Sequence, residues 1–157
     1  MDESRNLNGI DTDVSIQHFR DSVLVLVSQL GKVGNLIQAT IPPTTPLLPA
    51  PPPDPLEPNV QRLPPIPTAI QLTNLLGHAP SDHIHTLHNL YASQIAAIIW
   101  NAVPDDPGAQ IPRKNVVIGI ALRKTKTDDD SSPTEGEREI FSGVMTMVQE
   151  ILRKGGN

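Results

Sequence analysis

The chain has 157 residues, no cysteine and a formal net charge of −5. That length suits one domain, and the missing cysteines exclude disulfides, a zinc ribbon and a thiol nucleophile. The acidic balance argues against bulk affinity for nucleic acid, and no run of about 18 apolar residues is present to span a membrane.

Hydrophobic residues make up 38% of the chain, and of its 17 prolines 12 lie between Pro42 and Pro67. Outside that stretch roughly 130 residues of ordinary composition remain, enough for one core. Phe19, Tyr91, Trp100 and Phe141 are the only aromatics, so the core must be built from Val, Ile and Leu. Met1 to Asn6 is polar and acidic and lacks the basic start and apolar stretch of a signal peptide. The expected location is cytoplasm or nucleus.

Residues 1–9 read as a flexible N-terminus, 10–154 as a single α+β domain and 155–157 as a flexible C-terminus. In Asp13 to Phe19, Val14 and Ile16 alternate with polar neighbours, the pattern of a strand with one wet face. Val23-Leu24-Val25-Leu26-Val27 is apolar on both faces and too short for a buried helix, so it is expected to be a central strand. The glycines of Gln29-Leu30-Gly31-Lys32-Val33-Gly34-Asn35 fit a hairpin turn. Leu36 to Ile41 is the returning strand. Pro42 to Pro67 reads as an inserted proline-rich loop, extended and solvated, because proline fixes φ and donates nothing to a ladder. Ala69 to Leu76 resumes strand character.

Ser81 can accept a hydrogen bond from a free backbone N–H and so start a helix. Ile84, Leu87, Tyr91, Ile95, Ile98 and Ala102 then recur as one apolar stripe, which the Pro104 to Gly108 turn cluster ends. Asn115 to Leu122 is a second two-faced strand. A last helix begins at Thr134, where Thr134 and Glu137 fit a capping box, and buries Ile140, Val144, Met147, Val148 and Ile151. The spacing predicts an antiparallel sheet of about five to six strands with two helices on one face.

Two helices cover one face. The strands at 23–27 and 116–122 do not alternate, so both of their faces need cover. Either the sheet closes on itself as a barrel or sandwich, or a second chain covers the open face. On the second alternative Val117, Gly119 and Ala121, with Val23, Val25 and Val27, are the candidate partner-binding residues. Ile118, Ile120 and Leu122 then sit under the helices.

Asp21 to Leu36, with Gln29-Leu30-Gly31-Lys32-Val33-Gly34 as its most specific part, resembles the strand–turn–strand of the proteasome assembly chaperone 3 family. Leu75-Leu76-Gly77-His78 and the strand ending Ile120-Ala121-Leu122-Arg123-Lys124 follow in the family's order. The resemblance spans nearly everything from Ile10 to Lys154. The proline-rich loop and the loop from Pro104 to Lys114 are longer than the family pattern. The resemblance implies a non-catalytic protein without cofactor. It pairs with the related chaperone 4, or with a second copy of itself, through the open face, and holds an α-type subunit of the 20S core particle during α-ring assembly. Gln29, Gly31, Lys32 and Gly34 are the family's turn residues.

Sharper chemical readings are weaker. Gly31-Lys32-Val33-Gly34 lacks the earlier glycine, the following Ser/Thr and the helix of a phosphate loop. His78, His83, His85 and His88 invite a metal, but a surface or partly packed helix explains them without one. No nucleophile elbow is present. Arg113, Lys114, Arg123, Lys124 and Lys126 lack the stacking aromatics of a nucleic-acid site. Arg62-Leu63-Pro64-Pro65-Ile66-Pro67 nearly matches a peptide bound by SH3 domains, with Arg62 one position out of place. An adaptor presenting this loop to SH3 or WW partners is the alternative function.

Overall fold

The computed structural model describes residues 2–29, 34–42, 44–48, 50–52, 54–56, 62–79, 81–102, 114–122 and 135–155. Six strands and two helices follow in the order β1 (Asp2–Leu7), β2 (Ile10–His18), β3 (Ser22–Ser28), β4 (Asn35–Thr40), β5 (Gln71–Leu76), α1 (Asp82–Ala102), β6 (Asn115–Ala121) and α2 (Glu135–Gly155). The expected α+β layering is present, with both helices on one face. The strand order is β1-β2-β3-β6-β4-β5.

The sheet is mixed rather than wholly antiparallel. β6 lies between β3 and β4, parallel to β3 and antiparallel to β4. The stretch from Gln29 to Gly34 is therefore not a hairpin. β3 and β4 lie two strand spacings apart, about 10 Å, with β6 between them. Composition explains the placement. β3 and β6 are the two strands without alternation, and strands apolar on both faces belong side by side at the centre of a sheet.

The residues up to Gly9, expected to be frayed, instead form an edge strand. β1 pairs with β2 along its whole length, from Asp2↔Ser15 to Leu7↔Ile10. Asn8 and Gly9 have φ of 51° and 80°, the left-handed pair that a two-residue hairpin needs. Arg5 then ties the strand to α2 through a 2.6 Å ion pair with Glu150 and a second contact with Glu3.

The helix side of the sheet presents Val14, Ile16, Val23, Val25, Val27, Ile37, Ala39, Val116, Ile118 and Ile120, all buried in one cluster with the apolar residues of both helices. Ser81 caps α1, accepting from the Ile84 N–H at 3.3 Å. Ile84, Leu87, Tyr91, Ile95 and Ile98 are buried as expected, while Ala102 is exposed. Tyr91 meets Phe141 of α2 edge to face, with ring centroids 5.1 Å apart. Thr134, expected to cap α2, lies outside the described residues.

Part of the proline-rich segment packs on the fold, while Leu48 and Leu56 stand in solvent as expected. Every residue of α1 from Tyr91 to Trp100 is buried, including the side that faces neither sheet nor α2. Ile41, Leu47, Leu63 and Ile70 pack against the core, and Pro64 is buried with its carbonyl accepting a 2.9 Å bond from Gln94 Nε2. Proline suits such a strap because it has no N–H to leave unsatisfied when buried. The leucines among the prolines, Leu47 and Leu63, carry this packing.

Two outcomes follow for stability. Ile95→Ala, at a fully buried position, is expected to cost about 2–4 kcal/mol in denaturant unfolding. Replacing residues 43–65 by a short Gly/Ser linker removes Leu47, Leu63 and Pro64 from the fold. It is expected to cost about 3 kcal/mol or more at roughly 1.5–3 kcal/mol per buried apolar side chain. An unchanged melt would show that the strap contributes nothing.

Candidate functional site

The face of the sheet away from the helices is built row by row from the strand registers. One row runs Gln17, Leu24, Val117, Gln38, Thr73, and the next runs Asp2, Ser15, Leu26, Gly119, Leu36, Leu76. The centre is thus Leu24, Leu26, Val117, Gly119 and Leu36. Leu76 extends it at the β5 edge, 65% exposed. No described element lies over these residues: α1 and α2 both belong to the opposite face. Leu24, Leu26, Leu36 and Val117 are half-buried by their neighbours in the sheet alone.

Of the candidate partner-binding residues, Val117 and Gly119 stand on this open face. Ala121 shares their register but is only 5% exposed, at the end of β6 where its carbonyl accepts from the Gln29 N–H. Val23, Val25 and Val27 are on the other side. They are 1%, 0% and 1% exposed and pack beneath the helices, so the open-face residues of β3 are Leu24 and Leu26. Strand residues alternate sides. Five apolar residues in a row gave no way to choose which parity faced the helices. Register with β6 decides it, because Val23, Val25 and Val27 pair with Val116, Ile118 and Ile120.

Of the four turn residues that the resemblance singles out, Gln29 and Gly34 are described. The Gln29 N–H donates to the Ala121 carbonyl at 2.8 Å, and its side-chain amide donates to Thr12 Oγ1 at 3.2 Å. A side chain at Gly34 would place its Cβ 2.9 Å from the Ile120 carbonyl oxygen, so only glycine lets the chain pass this close. Gly31 and Lys32 lie outside the described residues.

Of the four candidate histidines, His83 and His88 are packed into the fold, while His78 and His85 are exposed. His83 Nε2 lies 2.9 and 3.1 Å from the two oxygens of Glu137, joining the first turns of the two helices at a carboxylate only 3% exposed. Burial, reinforced by the Glu137 charge, pushes the Tyr91 hydroxyl well above its ordinary pKa. His85 lies 3.2 Å from the Asn89 amide. His88 is 3% exposed and 3.4 Å from the Asn35 amide. Among the described residues no three His, Asp or Glu side chains are grouped as a metal requires. Lys114 Nζ donates to the Phe19 carbonyl, and Arg113, Arg123, Lys124 and Lys126 lie outside the described residues. Pro64, inside the SH3-like sequence, is held against α1 as described.

The sequence matches no family model and no curated protein. The fold matches a solved structure. It is similar to a chain in the crystal structure of a chaperone complex for yeast 20S proteasome assembly, with a TM-score of 0.52 over 96% of each chain and 11% sequence identity. At that identity the likeness establishes a common fold.

Burial lowers the His88 pKa from an ordinary 6.5 to about 4, with the His85 charge adding to the effect. The unfolded chain therefore binds this proton first as pH falls. The contribution of neutral His88 is complete above about pH 6.5 and is lost progressively toward pH 4. It amounts to roughly 3 kcal/mol at 1.36 kcal/mol per pH unit. His88→Gln is expected to flatten the decline of stability between pH 6.5 and 4, measured by urea unfolding. An identical pH dependence would assign the acid sensitivity elsewhere.

Proposed function

We propose that this chain is a non-catalytic assembly chaperone of the 20S proteasome. It binds an α-type subunit and promotes α-ring assembly as half of a heterodimer with the related chaperone 4, in the cytoplasm or nucleus. The observation that carries this reading is the open face: an apolar centre on β3, β6 and β4 that no described element of the chain covers. An apolar, charge-depleted patch of this kind is a usual mark of a partner surface. The fold shared with a chain of a yeast proteasome-assembly chaperone complex supports the same reading, as does the Gln29 to Gly34 motif. The adaptor alternative is the weaker one, because a docking peptide must be accessible and Pro64 is buried.

Affinity capture of the tagged chain followed by mass spectrometry tests the proposal. Proteasome α-type subunits and chaperone 4 are expected; SH3 or WW proteins in their place would favour the adaptor. Val117→Glu tests the face itself. A carboxylate buried there without a partner costs several kcal/mol on pairing, enough to lower affinity about a hundredfold. The expected product is a folded chain by circular dichroism that no longer retains chaperone 4. An unfolded product would put Val117 in the core.

A further inference from the structure

Between the two leucines that fasten the strap, Leu47 and Leu63, runs a stretch that lies outside the core. Five of the seven residues from Pro49 to Pro55 are proline, and Leu48, Ala50, Pro51, Pro52 and Pro55 are all exposed. Ala50 faces Ile98, Ala102 and Leu152 across a hollow of about 690 Å³, so the stretch stands clear of the helices there. Its two ends are fixed: Leu47 packs against the core, and the Pro64 carbonyl is held by Gln94. After the prolines the Asp54 carboxylate accepts the Leu56 N–H at 2.9 Å, which turns the chain back.

We propose that this stretch is a docking ligand for a polyproline-reading module of the EVH1 kind, on a surface separate from the open sheet face. Proline fixes φ, and a residue that precedes proline is pushed out of the helical region. Ala50, Pro51 and Pro52 each precede a proline, so they are biased toward the polyproline II conformation. Aromatic-lined grooves of SH3, WW and EVH1 modules read that conformation. A segment already stiff and tied at both ends loses little further freedom on binding. The flanking residues choose the module. An SH3 groove takes a basic residue beside the prolines, and from Ile41 to Gln61 the sequence has no lysine or arginine. A WW groove of the common kind takes a tyrosine after the prolines, and the one tyrosine, Tyr91, is buried in α1. An EVH1 groove takes one apolar anchor just before them. Leu48 stands there, 62% exposed, while its neighbour Leu47 packs inward. It is an apolar side chain left in water that a groove can bury.

This ligand is distinct from the SH3-like sequence at Arg62 to Pro67, whose Pro64 is buried. It lies on the helix side of the molecule, beside the last turns of α1 and α2. The apolar centre at Leu24, Leu26 and Val117 is on the opposite face of the sheet. Both surfaces can therefore be occupied at once, and the inference does not rest on the proposed function. It adds a second interface, short and linear, through which another protein is tethered to the chain.

Calorimetric titration of the full chain with purified EVH1, WW and SH3 domains tests this. The EVH1 domains are expected to bind. Leu48→Ala is expected to weaken that binding about tenfold, through loss of one buried apolar anchor. Pro51→Ala combined with Pro52→Ala is expected to weaken it at least as much. All three positions are exposed, so the variants should melt like wild type. Val117→Glu is expected to bind the EVH1 domains as wild type does, whether or not it retains chaperone 4, which keeps this inference apart from the proposed function. A wild-type chain that binds no EVH1 domain overturns the proposal, as does binding that Leu48→Ala and the proline pair leave unchanged. Binding by SH3 or WW domains alone overturns the choice of module. Loss of EVH1 binding in Val117→Glu overturns the separation of the two surfaces.

Discussion

The parallel pairing of β3 with β6 is the constraint on which the rest of the structure depends. It places the last strand of the chain at the centre of the sheet, between two strands that precede it by many residues. The described ends of the link from β3 to β4, Gln29 and Gly34, both lie against the end of β6: Gln29 bonds to Ala121, and residue 34 has no room for a side chain. It also aligns Val23, Val25 and Val27 with Val116, Ile118 and Ile120. These rows of β-branched residues form the floor on which both helices pack.

The same pairing creates the opposite face. Placing two strands without alternation side by side concentrates the unmatched apolar residues in one place. Leu24, Leu26 and Val117 lie together instead of scattered over the sheet. The outer strands alternate, so they surround this centre with polar residues, acidic on the β1–β2 side and neutral on the β4–β5 side. On the helix side the chain is fully supplied with cover. The strap even buries the outer side of α1, with Gln94 satisfying the Pro64 carbonyl. One side is closed by the chain's own segments, and over the other lies no described element.

Much of this was legible in the residues. The stripe through Ile84, Tyr91 and Ile95 located α1, because a 3.6-residue period survives in any tertiary setting. The absence of alternation in 23–27 and 116–122 marks strands that are apolar on both faces, as β3 and β6 are. That absence is also the signature of parallel neighbours, which went unused. Asn8-Gly9 is a strong hairpin signal, and it marks β1 beside the acidic start of the chain. In the proline-rich segment, Leu47 and Leu63 carried the packing signal among residues that suggested solvent.

By itself, then, the sequence determined the kind of each central element, the stripe that each helix buries and the surplus of apolar strand surface. All of these are properties of neighbours along the chain. Only the tertiary structure decided which parity of β3 faces the helices, where β6 enters the sheet and what lies over the outer side of α1. A short strand apolar at every position has no local preference between its two faces. The choice is made by partners distant in sequence: by Val116, Ile118 and Ile120 for β3, and by Pro64 for Gln94. The open face is therefore composed locally but positioned globally.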